Sequence, residues 1–560
     1  MRSLRFLFLH VMLGASTLLG ASQLGAQDLR TQSEASAFTV YTAYDSMMTY
    51  LREVRASTTD MRLGVYGESR EGRELPYVIF SRPLVSQPWE AAVLGRPVVS
   101  LNANVHGGER TLRESLLILI RELSTPGTEA NALLDDLVIL VAPQINPDGF
   151  EATPRSTRGN AWGIDMNRDW VKLEQPALTA YARNVIQRWR PHIFVDGHNG
   201  GAFPYNLNYQ CPSHAELDQR ITLLCDQEIF PAINARLEAD GYQAFYYSRG
   251  TETRWNGGGS QARIGRNYGG FINSVGILFE SPTSQELSDG VASGVLAFKA
   301  VLEYARDNAD RLIETVNRAR VETLEMGLSA RGDVVVEMEY GPEDYTVEYQ
   351  VRVGEGDDAR VITVQSDSLM KRPIATKTRP RPYAYMLPRD AVGAVAMLQR
   401  QGITVEVLER ATTVEVTAYT LAGVTYEQAY NHAGAARVQL GDVVTFERDF
   451  PAGTFVVPTG QMLGRLVSHM LEPETEDNVV YWNTMDAWLP KAALEAIGRP
   501  NAGQGDGGPG RRGAGARGGR SGNRGGPPGR GGRRGGPEDP PVVPIYKVMA
   551  PIALPSVILN

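Results

Sequence analysis

Cysteine is almost missing: the 560 residues hold two, Cys211 and Cys225. Two thiols cannot build a structural zinc cluster. They can stand as one disulfide or as two buried thiols, and the sequence leaves both open. An excess of positive charge is missing too. Lys and Arg number 56 against 64 Asp and Glu, a formal net charge of −8, which argues against a general nucleic-acid binder. Apolar runs long enough to cross a bilayer are also missing from the mature chain. Near the C-terminus, Val542, Val543, Ile545 and Tyr546 and then Ile552 to Leu554 are apolar, but several prolines break the run.

What is present is a chain that is 42% hydrophobic and 21% charged, long enough for two or more domains with real cores. Arg2 and Arg5 make a basic start, Phe6 to Leu19 is mostly apolar, and small residues follow to Ala26. This pattern predicts a signal peptide over 1–26 and a secreted or periplasmic protein, with an N-terminal membrane anchor as the alternative. Export places the cysteines in an oxidising compartment.

From about 60 to 320, apolar strands alternate with longer helical stretches. Pro97 to Val105, Leu137 to Ala142, Ile193 to Val195 and Val275 to Phe279 read as strands; Leu112 to Leu123, Pro176 to Trp189 and Ala215 to Gly241 read as helices. Uninterrupted apolar strands imply a sheet buried on both faces. The expected fold is α/β, with a mixed, largely parallel central sheet flanked by helices over 35–325. Residues 330–497 change texture: Val334 to Tyr340, Thr346 to Val353, Ile403 to Glu409 and Thr412 to Thr417 alternate as half-buried strands, with a helix at Arg389 to Gln401. This predicts a β-rich C-terminal domain to which no chemistry is assigned. Residues 498–540 are a Gly/Arg/Pro-rich linker that cannot bury a core, able to make weak contact with an anionic envelope. Residues 541–560 are an apolar segment expected to dock back on the second domain.

Three chemistry-bearing residues follow three of the strands. His106 follows Val105, His198 follows Val195, and Glu280 follows Phe279. In open α/β sheets ligands bind beyond the carboxyl ends of strands. A His and a carboxylate three apart, His106 and Glu109, with distant His198, can hold one zinc ion and leave a fourth position open, as a catalytic site requires. Glu280 is a candidate proton shuttle, or else a cap for Ser281-Pro282-Thr283. Between them, Arg158 to Trp170 reads Arg-Gly-Asn-Ala-Trp-Gly-Ile-Asp-Met-Asn-Arg-Asp-Trp. Its guanidinium groups suit carboxylates and oxyanions, and Asn167 with Arg168 can hold a free carboxylate.

These motifs together resemble the zinc metallocarboxypeptidases, the carboxypeptidase A-like peptidases. The resemblance rests on Gly67-Glu-Ser-Arg-Glu-Gly-Arg73, His106-Gly-Gly-Glu109, Asn146-Pro-Asp-Gly149, Gly163-Ile-Asp-Met-Asn-Arg168, Asp196-Gly-His198 and Phe279-Glu280, in family order. It implies one Zn2+ per site held by His106, Glu109 and His198. It also implies a substrate carboxylate held by Asn167 and Arg168, a first zinc histidine oriented by Asp165, and Glu280 as catalytic glutamate. Arg158 matches the arginine that polarises the scissile carbonyl in one branch, whereas Arg155 fits the spacing of the other. The implied activity is removal of a C-terminal residue from peptides with a free carboxylate. Action on murein peptides or acylated amino acids, or non-catalytic binding on the same fold, are the alternatives. Two departures stand out: the Gly107-Gly108 interior of the first motif, and Asn199-Gly200-Gly201 after the second histidine. The tyrosine that closes over substrate in such enzymes is not identifiable, with Tyr268 in the Gly-rich stretch Trp255 to Gly270 as a candidate.

Overall fold

The structure is a computed structural model that describes residues 25, 29–354, 356–428, 434–489 and 541–559. The predicted signal peptide, apart from residue 25, and the predicted linker over 498–540 lie outside the described residues.

Ten strands come first: β1 Met61–Glu68, β2 Glu74–Phe80, β3 Val98–Ala103, β4 Val138–Ala142, β5 Ile193–Asn199, β6 Leu207–Gln210, β7 Ala244–Tyr246, β8 Ser248–Gly250, β9 Trp255–Gly257 and β10 Val275–Ser281. Eight of them form one sheet in the order β1-β2-β4-β3-β5-β10-β6-β7. Its centre, β4-β3-β5-β10, is parallel. The β1–β2, β2–β4 and β10–β6 pairs are antiparallel, and β6–β7 is parallel again. The fold is therefore α/β with a mixed central sheet.

The central strands are largely apolar because successive side chains enter different cores. Val138, Leu140 and Phe194 face one core together with Trp170, Leu178, Tyr181 and Phe271. Ile139, Val141, Ile193 and Val195 face the other, beneath the helices Thr111–Ser124 and Leu287–Asp307. Cys211 and Cys225 are joined in a disulfide with a Cα–Cα distance of 5.9 Å, tying the end of β6 to the following helical stretch.

Eleven further strands follow: β11 Asp333–Pro342, β12 Val347–Val353, β13 Arg360–Ser366, β14 Leu369–Pro380, β15 Ala384–Leu387, β16 Glu406–Leu408, β17 Thr412–Glu427, β18 Ala435–Phe450, β19 Phe455–Pro458, β20 Tyr546–Val548 and β21 Ser556–Ile558. The C-terminal region is thus β-rich. Seven of these strands make a sheet ordered β18-β17-β20-β15-β19-β16-β21, so the last stretch of chain supplies an interior strand, β20, and an edge strand, β21. The early and late parts of the chain are fused rather than strung together. β14 pairs in parallel with β9 at Leu369–Trp255, and one core holds Trp170 and Tyr181 together with Tyr385, Leu398, Leu466 and Met470. Polar contacts cross the same seam. Gln401 donates to the Trp170 and Val171 carbonyls at 2.7 and 2.8 Å, and buried Arg381 pairs with buried Glu216 at 2.6 Å.

Candidate active site

The site forms where β3, β5 and β10 end. After β3 the chain reverses at Asn104, whose φ of 60° is left-handed, a conformation Asn tolerates better than most residues. The Asn104 amide then donates to the carbonyls of His106, Gly107 and Glu109 at 2.9, 3.1 and 2.8 Å and holds the loop in one shape. Asn146 locks this loop to its neighbour. Its carbonyl oxygen caps the short helix Pro147–Glu151 through Gly149 N, and its amide donates to the Val105 and Gly159 carbonyls at 3.2 and 3.1 Å. Asp148 in turn accepts from Ser69 Oγ and Arg73 Nη1, both at 2.7 Å, which anchors the Gly67–Arg73 stretch.

His106, Glu109 and His198 come together so that one ligand atom of each lies within 4.8 Å of the others. His106 Nδ1 is 2.9 Å from Glu109 Oε1, His198 Nδ1 is 2.8 Å from Glu109 Oε2, and the two Nδ1 atoms are 3.1 Å apart. The far side of each ring meets an aspartate. His106 Nε2 is 2.9 Å from Asp165 Oδ1, and His198 Nε2 is 2.9 Å from Asp196 Oδ2. An ionised carboxylate only accepts, so these contacts assign the ring proton to Nε2 and leave the Nδ1 lone pairs facing inward. Asn167 Nδ2 also lies 3.3 Å from His198 Nε2, but the nearer carboxylate decides the tautomer. Two inward lone pairs beside a carboxylate repel one another unless a cation or a proton sits among them. The donor set therefore fits a divalent metal with nitrogen and oxygen ligands.

The electrostatics agree. Burial alone would raise the Glu109 carboxyl, but the His106 and His198 imidazoles outweigh it and hold Glu109 well below the usual carboxylate range. Burial would lower His198, but Asp196 and Glu109 outweigh that and raise it well above its ordinary value. Asp165, also buried, is held low by the His106 hydrogen bond and charge and by Arg158.

The remaining candidates surround this centre. Arg158 Nε donates to Asp165 Oδ2 at 3.0 Å and its Nη1 to Glu109 Oε1 at 3.1 Å, so this arginine reaches the ligand cluster, whereas Arg155 is exposed on the preceding turn. Asn167 and Arg168 sit on the turn Met166–Arg168, capped by Asp165 through Asn167 N at 2.8 Å. The Asn167 carbonyl accepts from Trp170 Nε1 at 3.0 Å and Gly265 N at 2.8 Å, which directs its amide group toward His198. Glu280 pairs in register with His198 across β5 and β10. Burial pushes its carboxyl up to about 7, opposed by the His198 charge and helped by that of Glu109.

Two residues with a place at the site were given no role from the sequence. Asp196 had a readable signal: it stands two before His198 on one strand, hence on the same face. Tyr247 had none. Its phenol is raised to about 12, first by the Glu280 charge and then by burial. Tyr268, by contrast, is not a cleft residue. It is fully buried on the helix Gly265–Phe271 and stacked on Trp170 with ring centroids 5.2 Å apart.

Residues 47–192 match the family described as zinc carboxypeptidase, a stretch that includes His106, Glu109, Arg158, Asn167 and Arg168 and stops before His198 and Glu280. Carboxypeptidase 2 of Trichophyton tonsurans is 27% identical over 432 residues, covering 73% of this chain and 78% of its own length. Carboxypeptidase 2 of Trichophyton rubrum is 26% identical over 458 residues, 78% of this chain and 82% of that one. Among solved structures, a metallo-carboxypeptidase from Pseudomonas aeruginosa aligns over 49% of this chain and 71% of its own with 19% identity and a TM-score of 0.38.

Proposed function

We propose that this chain is a zinc metallocarboxypeptidase that removes the C-terminal residue of peptides with Glu280 as general base. The observation that carries the reading is the inward pair of Nδ1 atoms, 3.1 Å apart, closed by Glu109 and backed by two aspartates. His106, Glu109 and His198 would hold the zinc ion, which when bound lowers the pKa of water and acts as a Lewis acid on the scissile carbonyl.

The chain's own residues divide the remaining work. Asn167 and Arg168 seat the substrate's terminal carboxylate, a pairing suited to a planar anion. Arg158, already turned toward the ligand cluster, stabilises charge developing on the carbonyl oxygen. Glu280, buried and raised toward neutrality, takes a proton from water and returns it to the leaving amine. Asp165 and Asp196 fix the two imidazoles. We take 35–325 as the catalytic unit and 330–497 as an accessory unit, whose described residues to 489, with 541–559, pack against it.

Export is part of the proposal. It is supported by the basic and apolar N-terminal pattern and by the Cys211–Cys225 disulfide. A peptide-library digest with and without a chelator, run beside murein fragments, tests the activity. Loss of single C-terminal residues from plain peptides, abolished by the chelator, is expected. Glu280→Gln should keep its metal and lose about 10²–10⁴-fold in kcat. A fully active Glu280→Gln enzyme would overturn the assignment of the base.

A further inference from the structure

The opposite pole of the sheet carries a second feature. Before β3 and β5 begin, a groove of about 410 Å3 opens between the helices Pro88–Leu94 and Ala309–Leu328. Arg96, Arg188, Arg190 and Arg320 all line it. Among the described residues none of the four meets a carboxylate. Arg96 donates to the Arg82 carbonyl at 2.6 Å, Arg188 to Gln87 Oε1 at 2.6 Å, and Arg320 to the Arg190 carbonyl at 3.0 Å, while Arg190 Nη1 stands 3.8 Å from Met462 Sδ. Glu90, on the first of these helices, is committed to capping it through Ser86 N and Gln87 N, and Glu322, two residues after Arg320, pairs with Arg331 at 2.7 Å.

Asn317 Oδ1 accepts from Arg320 Nη1 at 3.4 Å, and the two ring systems of the groove add donors. His192 Nδ1 accepts the Val98 N–H at 3.0 Å, so the proton of its neutral ring is on Nε2. The buried Trp189 indole N–H has no partner. Burial and then the Arg190 charge lower Arg320 to about 10, which leaves it cationic at neutral pH and uncompensated. Four guanidinium groups and two ring N–H donors with no acid among them are unexpected in a chain whose acidic residues outnumber its basic ones, 64 to 56. At the rim, Trp89 is 64% exposed and offers an aromatic face.

We propose that this groove is an anion-binding site for a sulfate or phosphate group carried on a saccharide, separate from the catalytic cleft. Guanidinium forks recognise the oxyanion, and the Trp89 face takes the sugar ring. His192 and His198 bracket β5, six residues apart, so the groove lies roughly 20 Å from the ligand cluster at about 3.3 Å per residue. Occupation would tether the enzyme to an anionic glycan with its cleft turned away. The site does not depend on which substrate the cleft accepts.

The test is calorimetric titration of the full zinc-loaded enzyme with sucrose octasulfate, inorganic phosphate, and vesicles of phosphatidylglycerol. Sucrose octasulfate should bind, and binding should weaken as salt rises from about 50 to about 300 mM. Arg188 and Arg190 are exposed, and the double variant Arg188→Ser/Arg190→Ser should bind about tenfold more weakly or worse, with peptide cleavage unchanged as the check on folding. No binding by the natural enzyme, or equal binding by the folded double variant, overturns the site. Equal affinity for free phosphate overturns the saccharide carrier, and binding to vesicles alone overturns it in favour of a lipid surface.

Discussion

A Cβ added to Gly107 would stand 2.1 Å from the Gly149 carbonyl carbon and 2.4 Å from Phe150 N, whereas one on Gly108 would meet nothing nearer than Ser156 Oγ at 3.8 Å. The two glycines between His106 and Glu109 are therefore not equivalent. Gly107→Ala should displace the ligand loop and reduce both zinc content and kcat/KM, by about 10²-fold or more in the latter. Gly108→Ala should leave both within about twofold. Metal analysis beside a peptide assay checks the pair, and equal effects would refute the packing argument. The same reasoning explains Gly200, where a Cβ would lie 2.5 Å from Glu280 Oε2, so the base can occupy its place only against a bare backbone. Asp196→Asn keeps the shape but replaces a carboxylate acceptor behind His198. It should lower zinc affinity about 10–100-fold, measured by competition with a chromogenic chelator. The ligands were legible in the sequence because their types and spacing carry chemistry. The demand for glycine at 107 and 200 was not, because the atoms that forbid a side chain come from Gly149 and Glu280, far along the chain.

At the scale of elements, the strands ahead of His106, His198 and Glu280 could be read from composition because each is buried on both faces. Their order could not: the β10–β6 antiparallel pair and the parallel β6–β7 pair depend on loop paths that leave no local pattern. Tyr268 was misplaced for a related reason. Glycines around it suggested a loop, yet Gly269 and Gly270 are small so that a helix can press against Phe194 and Leu217. The turn after Arg168 offers a pH test. Asp169 is fully buried and accepts from Glu174 N at 2.9 Å and Gln175 N at 2.8 Å, shaping the entry to the helix Pro176–Tyr181. Burial pushes its carboxyl up to about 7, against those hydrogen bonds. The unfolded chain loses this proton near pH 4. Between about pH 4 and about pH 7 the folded state thus binds more protons than the unfolded, and stability from this group falls as pH rises through that window, levelling above it. Asp169→Asn has no such proton to lose. Urea denaturation should find the variant less disadvantaged, relative to the natural protein, at about pH 8 than at about pH 5. A difference independent of pH would contradict the assignment.

For the whole molecule, the decisive element is the one that arrives last. β20 lies between β17 and β15, pairing Lys547 with Thr417 on one side and with Tyr385 on the other. The apolar character of residues 542–554 was readable, but not that Tyr546–Val548 fill the interior of a sheet, because their partners lie more than a hundred residues earlier. Lys547 carries a charge into that interior. Its Nζ is 2.7 Å from Glu472 Oε1, with both side chains almost wholly buried, and Glu472 also accepts from Tyr385 and Tyr419 at 2.8 and 3.2 Å. Glu472 begins the stretch that ends the helix Gly464–Leu471 and leads to Asp477, which accepts from Arg263 N at 3.2 Å, two residues before the Gly265 that holds Asn167. The tail is thus linked through one buried ion pair and one loop to the proposed carboxylate seat. Lys547→Met fills the space but strands the Glu472 charge, and should destabilise the protein by about 3–5 kcal/mol. Removing both charges, as Lys547→Met with Glu472→Gln, should recover much of that loss, since a neutral pair leaves no uncompensated ion. Urea denaturation of the two single variants and the double variant measures the coupling. Strictly additive losses would show that the tail is held by its strand pairing alone and that the buried pair contributes nothing of its own.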